Sequence, residues 1–273
     1  MQVLGIVGPD DEAATLADRL VDGLGDRGTV EQVAAADVDD GARSADEVHR
    51  LGAGGWSVSG RERDLETVLQ DLAPRTDYAV VRGFPDATVG TIALGQADHA
   101  GETVLAAPDA SAVETDEAIA ALEAREPYET LESLVADVKA SPDGTYSGAI
   151  ATFTGRVRER EGPDDEPTEF LEFEKYDGVA ESRMADIRAD LEAREGVYAV
   201  RLHHKTGVVE AGEDIVFVVV LAGHRSEAFE TVSDGIDRLK DEVPLFKKEV
   251  TADGEFWAHE GRESRIERDR RSL

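Results

Sequence analysis

Cysteine is absent from this chain of 273 residues, and lysine occurs only six times. The absence of cysteine excludes disulfide bonds, thiolate metal sites and a cysteine nucleophile. No run of eighteen apolar residues occurs, so the sequence contains no candidate membrane-spanning helix. The stretch MQVLGIVGPDDEAAT also lacks the basic region and cleavage site of a secretory signal. These absences predict a cytoplasmic protein.

Positive charge is scarce as well. The chain has 60 Asp and Glu against 29 Lys and Arg, which gives a formal net charge of -31. Nucleic-acid binding requires a basic face, so this balance argues against a nucleic-acid partner. Disorder is not indicated, because 41% of the residues are hydrophobic and fall in periodic segments. Carboxylates spread along the whole chain are typical of a halophilic protein, whose self-repulsion is screened by a salt-rich cytosol.

The order of strand-like and helical segments changes along the chain. In residues 1–108, the strand-like segments MQVLGIVG, TDYAVVRGF and VGTIALG alternate with helical patterns, which predicts a parallel α/β sheet. Residues 109–126, rich in Ala and Glu, predict a helical linker. Residues 127–261 contain pairs of strands separated by helices, which predicts an α+β domain with a mixed or antiparallel sheet. Residues 262–273 form a charged tail that we expect to be mobile.

The first strand leads into GPDDEAAT, residues Gly8 to Thr15, and then into a helix. This is the position and length of a phosphate-binding loop, G-x-x-x-x-G-K-[ST], but Ala13 and Ala14 replace its second glycine and its lysine. The loop also carries three carboxylates, at Asp10, Asp11 and Glu12. Such a loop binds phosphate through backbone N–H groups and a lysine, so these carboxylates would repel a nucleotide triphosphate. The sequence therefore predicts an ordinary strand–turn–helix without a nucleotide site.

This half nevertheless resembles the MobB family, in DVDDGARSADEVHRLGAGGWSVSG and in LETVLQDLAPRTDYAVVRGFPDATVGTIALG. MobB proteins are P-loop proteins that assist attachment of a guanine dinucleotide to the molybdenum cofactor. The resemblance covers about residues 1 to 105, and Arg82 stands where an acidic residue is usual. It implies the P-loop-like fold, but the altered loop argues against nucleotide hydrolysis. A GTP-binding protein of the MobB kind stays as an alternative.

Half of the lysines lie within nine residues of DRLKDEVPLFKKEV, at Lys240, Lys247 and Lys248. Pro244 ends a helix near Glu242, so Lys240 lies in its last turn, where the helix dipole favours a cation. This reason does not extend to Lys247, which follows in an extended segment. The concentration of lysine therefore suggests a local need for positive charge.

Three further basic groups lie in the same half. His224 and Arg225 in GHRSEAF stand at a predicted helix N-terminus, where a cation is unfavourable unless an anion also binds. Pairing of Arg225 with a neighbouring carboxylate is an equal alternative. Arg156 and Arg158 share one face of a strand. His203 and His204 point to opposite faces of another strand and make a poor metal pair, so we predict no metal site. Together, these groups predict a pocket for a phosphorylated or carboxylated partner.

The second half resembles the MoaE family, the large catalytic subunits of molybdopterin synthase. The resemblance spans about residues 127 to 260 and lies in GAIATFTGRVRE, LEFEKYDGVAESRMADI, HKTGVVEAGEDIVFVVVLAGHRSEAFE and DRLKDEVPLFKKE, in the family's order. It implies an α/β hammerhead fold and a sulfurtransferase. This enzyme would convert cyclic pyranopterin monophosphate into molybdopterin by building its dithiolene. The sulfur would come from the C-terminal thiocarboxylate of a small ubiquitin-like, MoaD-like partner. The resemblance also implies a homodimer within a heterotetramer, and no metal, nucleotide or other cofactor for this step.

The same resemblance assigns roles to residues of this sequence. Lys240 and Lys247 match the two catalytic lysines. The residues that match substrate-binding positions are Arg158, His224, Arg225, Phe153, Pro244 and, with a spacing that is off by one, Arg262. Phe246 stands where tryptophan is common. The rival hypothesis is a non-catalytic scaffold for molybdenum cofactor assembly, but a scaffold would not need all of these cations.

Overall fold

The computed structural model describes residues 1–35, 47–52, 55–60, 63–160, 162, 167–176, 178–251 and 254–259. The chain divides into two compact units, Met1–Ser133 and Leu134–Leu273. The division falls within the first turn of one helix, α4 (Leu131–Ala140). No helix in these described ranges has the length and apolar character needed to cross a membrane.

The first unit is built on a parallel sheet. Its strands are β1 (Gln2–Val7), β2 (Val30–Ala34), β3 (Glu47–Gly52), β4 (Gly55–Gly60), β5 (Tyr78–Arg82), β6 (Thr91–Leu94) and β7 (Thr103–Ala107). Its helices are α1 (Asp10–Leu24), α2 (Leu65–Leu72) and α3 (Thr115–Glu123), with a short 3-10 helix at Ala110–Ala112. Five strands pair in the order β2-β5-β1-β6-β7, and every pairing is parallel. Strands β3 and β4 form a separate antiparallel hairpin. The predicted parallel α/β fold is confirmed.

Helices cover both faces of this sheet. Leu16 and Leu20 of α1 recur at helical spacing and pack with Leu4 of β1 in the larger core cluster. Leu69 of α2 packs in a second cluster. Helix α3, which the sequence places in a linker, buries its apolar residues in the larger cluster, and Leu122 is fully buried there. The residues predicted to be a linker therefore form part of the first unit.

The second unit has two antiparallel sheets. Its strands are β8 (Ala149–Arg156), β9 (Thr168–Lys175), β10 (Val197–His204), β11 (Gly207–Glu210), β12 (Asp214–Ala222), β13 (Leu245–Thr251) and β14 (Gly254–His259). Its further helices are α5 (Val179–Glu192), α6 (Arg225–Glu242) and a 3-10 helix at Pro142–Tyr146. One sheet has the order β10-β12-β8, and the other β11-β9-β13-β14. The predicted α+β architecture is confirmed, and of the two predicted sheet types the antiparallel one is observed.

Strand β12 is the centre of this unit. Eight of its nine residues are buried, which explains its continuous apolar run in the sequence. Val218 and Val220 of β12 pack in one cluster with Leu191 of α5 and Leu239 of α6. Helix α6 therefore lies on the sheet, and the residues at its two ends are placed relative to the two ends of β12.

Candidate functional site

Helix α6 fixes the position of Lys240. Strand β12 leads through Gly223 and His224 directly into α6, which packs back onto β8 and β12. An 18-residue helix is about 27 Å long at about 1.5 Å per residue. A nine-residue strand is of similar length, at about 3.4 Å per residue. The C-terminal end of α6, with the exposed Lys240 in its last turn, therefore lies at the Asp214 end of the sheet.

The helix ends where the sequence predicts. Val243 leaves the helix with extended backbone angles, φ -86° and ψ 124°, because the following Pro244 disfavours the helical conformation before it. Pro244 is half-buried and leads immediately into β13. The cation of Lys240 also complements the carbonyl end of the helix.

Strand β8 places one more predicted residue at this end and another in the middle of the sheet. In the antiparallel register, Arg156 lies opposite Asp214, so Arg158, two residues beyond, is also at the Asp214 end. Its side chain is exposed. Phe153 lies opposite Val218 in the middle of the sheet, and its half-buried side chain packs against the core.

Lys247 is held on the inner face of the second sheet. It lies opposite the buried Phe173 of β9, and directly opposed residues project from the same face. Lys248 projects from the other face, where its ammonium is 3.6 Å from Glu172. Two adjacent lysines therefore have different environments, and only Lys247 shares its face with the apolar core.

Most described arginines of the unit make ion pairs, whereas the predicted site lysines and arginines do not. Arg238 of α6 donates to Glu242 at 2.6 Å and to Asp190 of α5 at 3.0 Å, and these hydrogen bonds, mainly the one to Glu242, raise the pKa of Arg238. Similar ion pairs join Arg194 to Asp234 and Arg201 to Asp137. Within the described part of the chain, no ion pair is made by Arg158, Arg225, Lys240 or Lys247. Lys139, Arg188 and Lys205 also make no ion pair in that part of the chain. The absence of an ion pair therefore identifies a site residue only together with its position in the fold.

His224 and Arg225 lie at the opposite end of α6. Both are exposed, and His224 is the N-cap residue, without a side-chain hydrogen bond to the helix. A rise of about 1.5 Å per residue places Arg225 about 22 Å from Lys240 along the helix axis. The sequence treats these residues as one anion pocket, but within one chain the structure brings together only Arg158, Lys240, Pro244 and Lys247. Arg262 lies outside the described residues.

The histidines of β10 take the predicted opposite faces. The ring of His203 stacks on Phe217, whereas that of His204 lies 4.8 Å from Phe173. Burial and, to a smaller extent, the positive charges of His204, Lys175 and Lys205 together lower the pKa of His203 to about 3. His203 is therefore a neutral packing residue. No group of three metal-ligating side chains occurs among the residues that the structure describes.

Lys175 is a candidate that sequence reasoning misses. It ends β9 and lies opposite Leu245, one residue after Pro244. Its side chain is only 8% exposed, and its ammonium is 3.4 Å from Glu181. The signal in the sequence is weak, because a single lysine at a strand end is usually solvated.

The altered phosphate loop turns directly into α1. Pro9 is the N-cap residue, and Glu12 accepts a hydrogen bond from the backbone N–H of Ala110 at 2.9 Å. A cavity of about 530 Å³ lies beyond the carboxyl ends of β1, β5 and β6. Asp10 and Asp98 line it, and no lysine or arginine is among its described lining residues. This cavity offers acceptors rather than cations.

The second unit is an α+β domain of two antiparallel sheets and one long helix. Several of its lysines and arginines make no ion pair among the described residues. Residues 124–242 match the family model of the MoaE protein. A protein from Haloferax volcanii described as "Probable molybdopterin synthase" is 54% identical over 266 residues, which cover 95% of this chain and 100% of that protein. The chain therefore belongs to the MoaE family.

Other similar proteins match one half of the chain. A "Molybdopterin synthase catalytic subunit" from Yersinia pestis is 38% identical over 117 residues, 43% of this chain and 76% of that protein. The solved molybdopterin synthase of Staphylococcus aureus is 30% identical and covers 49% of this chain and 92% of its own, with a TM-score of 0.43. The solved MobB of Bacillus subtilis is 12% identical and covers 46% of this chain and 100% of its own, with a TM-score of 0.37.

Proposed function

We propose that this chain is the catalytic subunit of a molybdopterin synthase and acts in the cytoplasm. As a sulfurtransferase, it would take sulfur from the C-terminal thiocarboxylate of a small ubiquitin-like partner. The acceptor would be cyclic pyranopterin monophosphate, and the product the dithiolene of molybdopterin. Membership of the MoaE family supports this activity. The observation that carries it is a set of cations without ion pairs among the described residues, Lys240, Lys247 and Arg158, at one end of the second unit of a very acidic chain.

The chemistry of the reaction fits these cations. Both the cyclic phosphate and the thiocarboxylate are anions, and a protein with a net charge of -31 must supply positive charge locally to bind them. We assign to Lys240 the stabilisation of charge that develops during sulfur attack, together with proton transfer. Lys247 would hold the incoming anion from the inner face of the sheet. Phe153 and Pro244, both half-buried, would form apolar walls for the pterin.

Two of the remaining predicted residues, His224 and Arg225, would act through a second copy of the chain. His224 and Arg225 lie about 22 Å along α6 from Lys240, too far to hold the same small molecule. In a homodimer, the Arg225 end of one α6 can meet the Lys240 end of the other. We therefore propose a dimer in which each site combines Lys240 of one protomer with Arg225 of its partner, and in which each protomer binds one small subunit.

The first unit has no assigned catalytic part in this proposal. Its altered loop carries Asp10, Asp11 and Glu12 where a phosphate site needs donors, so we propose that it binds no nucleotide triphosphate. This arrangement disfavours the alternative of a MobB-type GTP-binding protein. The scaffold alternative is disfavoured because docking alone does not require Lys240 at the end of α6 together with Lys247 on the inner face of a sheet, both without an ion pair in the described part of the chain.

Reconstitution tests the proposed activity. The purified chain would be mixed in high salt with cyclic pyranopterin monophosphate and the thiocarboxylated partner, and molybdopterin would be followed by the fluorescence of its oxidised derivative. We expect product from the wild type and none from Lys240→Ala. Lys139→Ala, which removes another exposed and unpaired lysine, is the matched control and should retain activity. Turnover by Lys240→Ala at the rate of this control would contradict the assignment. Partner binding without product in the wild type would favour the scaffold.

A further inference from the structure

Helix α6 has an exposed face that carries Phe229 between the two ends bearing Arg225 and Lys240. The residues of this face lie within an arc of about 120° around the helix axis, at about 100° per residue. They are Arg225, Ser226, Phe229, Ser233, Asp237 and Lys240. Phe229 is 66% exposed, whereas Val232 and Leu239 turn toward the sheet and pack in the core. A single exposed ring is common on protein surfaces, but this one lies between two cations that are too far apart to form one site within a chain.

The sharing of each site between protomers determines how the two α6 helices are arranged. Arg225 of one protomer and Lys240 of its partner must lie within the span of one small molecule, and a two-fold axis makes the reverse pair identical. When the ends of two equal segments are matched crosswise, the segments run antiparallel, and their midpoints are no further apart than the matched ends. The midpoint of Arg225 and Lys240 falls between Val232 and Ser233. The two helices therefore pass the axis near this point, at about the 8–10 Å separation of helices in contact.

We propose that a second copy of the chain binds to the exposed face of α6, with Ser233 next to the two-fold axis and Phe229 one turn away from it. The inference rests on the proposed function, because the shared site determines the axis. The small side chain of Ser233 allows the two helices to approach closely. The ring of Phe229 then lies against the partner's α6 and leaves water, which stabilises the dimer. Two cations meet at each end of this interface, and the anion that binds there offsets their repulsion.

A single introduced cysteine tests the position of the axis. The chain contains no cysteine, so Ser233→Cys in the full chain can form a disulfide only with its own copy in the partner. Disulfides require Cα atoms about 4.4–6.8 Å apart, a distance reached only close to the axis. Under mild oxidation, we expect Ser233→Cys to run as a linked dimer on a non-reducing gel. Ser182→Cys, at an exposed serine of α5, is the matched control and should stay unlinked.

A charge at Phe229 tests the contact itself. Phe229→Glu should weaken self-association by about tenfold or more, as for loss of an aromatic residue near the centre of an interface, and Phe229→Leu should weaken it less. Val208→Glu makes the same kind of change at another exposed apolar side chain and should leave self-association unchanged. Sedimentation in high salt measures the dimer, and circular dichroism checks that each variant is folded. Binding of the small partner should be equal in all three variants.

Equal linking in the two cysteine variants, or no linking of Ser233→Cys in a chain that sediments as a dimer, would overturn the inference. So would wild-type self-association in Phe229→Glu. Loss of small-partner binding in Phe229→Glu with the dimer intact would assign this face to the small subunit instead. A linked Ser233→Cys dimer supports the interface even if the wild type makes no molybdopterin. In that case, only the proposed function fails.

Discussion

The imidazole of His203 lies nearly parallel to the ring of Phe217, with the ring centroids 6.1 Å apart and an angle of 13° between the planes. The pair joins β10 to β12 on the face away from His204. A histidine held in this way packs as an uncharged ring, and this has a consequence for stability.

The stability of the second unit should fall as the pH drops below 6.5. The pKa of folded His203 is about 3 and that of an unfolded histidine about 6.5, so in this range only the unfolded chain takes up the proton. From pH 6.5 to pH 5, the free energy of unfolding should fall by about 2 kcal/mol, since one pH unit corresponds to about 1.4 kcal/mol. Denaturant unfolding in high salt would measure this slope. His203→Gln should flatten it, whereas a slope in this variant equal to that of the wild type would contradict the prediction.

A mixture of two inactive variants should regain activity if the site is shared between protomers. Lys240→Ala and Arg225→Ala each damage both sites of their own homodimer. In a mixed dimer, one site receives both changes and the other receives neither. Random re-association should therefore restore about a quarter of wild-type activity.

Unfolding and refolding the two variants together gives the mixed dimers, and the molybdopterin assay measures them. The same variants refolded apart and then combined are the control. If co-refolding adds nothing to the activity of the separate samples, the two residues do not belong to one shared site.

Replacement of Gly148 by alanine should destabilise the second unit. A Cβ at Gly148 would lie 2.5 Å from the carbonyl oxygen of Gly223, and a backbone atom cannot move aside cheaply. The expected loss is about 1–3 kcal/mol, as for other forced close contacts. The shift would also displace His224, the next residue along the chain, so activity should fall together with stability.

Calorimetry would measure this effect, with Gly25→Ala as the matched control. Gly25 has helical backbone angles, and its Cβ would meet nothing closer than 3.6 Å. Alanine there should be neutral or slightly stabilising. A melting temperature for Gly148→Ala equal to that of this control would show that the loop shifts without a loss of stability.

GTP with magnesium should neither bind to the chain nor raise its melting temperature. The cavity beyond β1, β5 and β6 is lined by Asp10 and Asp98, and Glu12 is already bonded to the N–H of Ala110. A triphosphate would meet repulsion rather than donors. Titration calorimetry would detect binding, and micromolar affinity for GTP would restore the nucleotide-binding alternative for the first unit.

Local patterns in the sequence predict much of the fold and part of the site. Pro244 ends α6 as predicted, and strand alternation separates His203 from His204. The role of α3 is not predictable in this way, because a short amphipathic helix looks the same in a linker and in a core. The burial of Lys175 depends on its pairing with Leu245, a partner 70 residues away, and local periodicity carries no information about such pairing.

Helix α6 also fixes the angle about its axis between the side chains at its two ends. An α-helix turns by about 100° per residue, so one inserted residue would rotate Lys240 by that angle relative to Arg225 and move it about 1.5 Å further away. An insertion of seven residues would nearly restore the angle but lengthen the helix by about two turns. Neither change is compatible with a sheet of fixed length, so the 18-residue span from Arg225 to Glu242 should tolerate substitutions on its exposed face but no change in length.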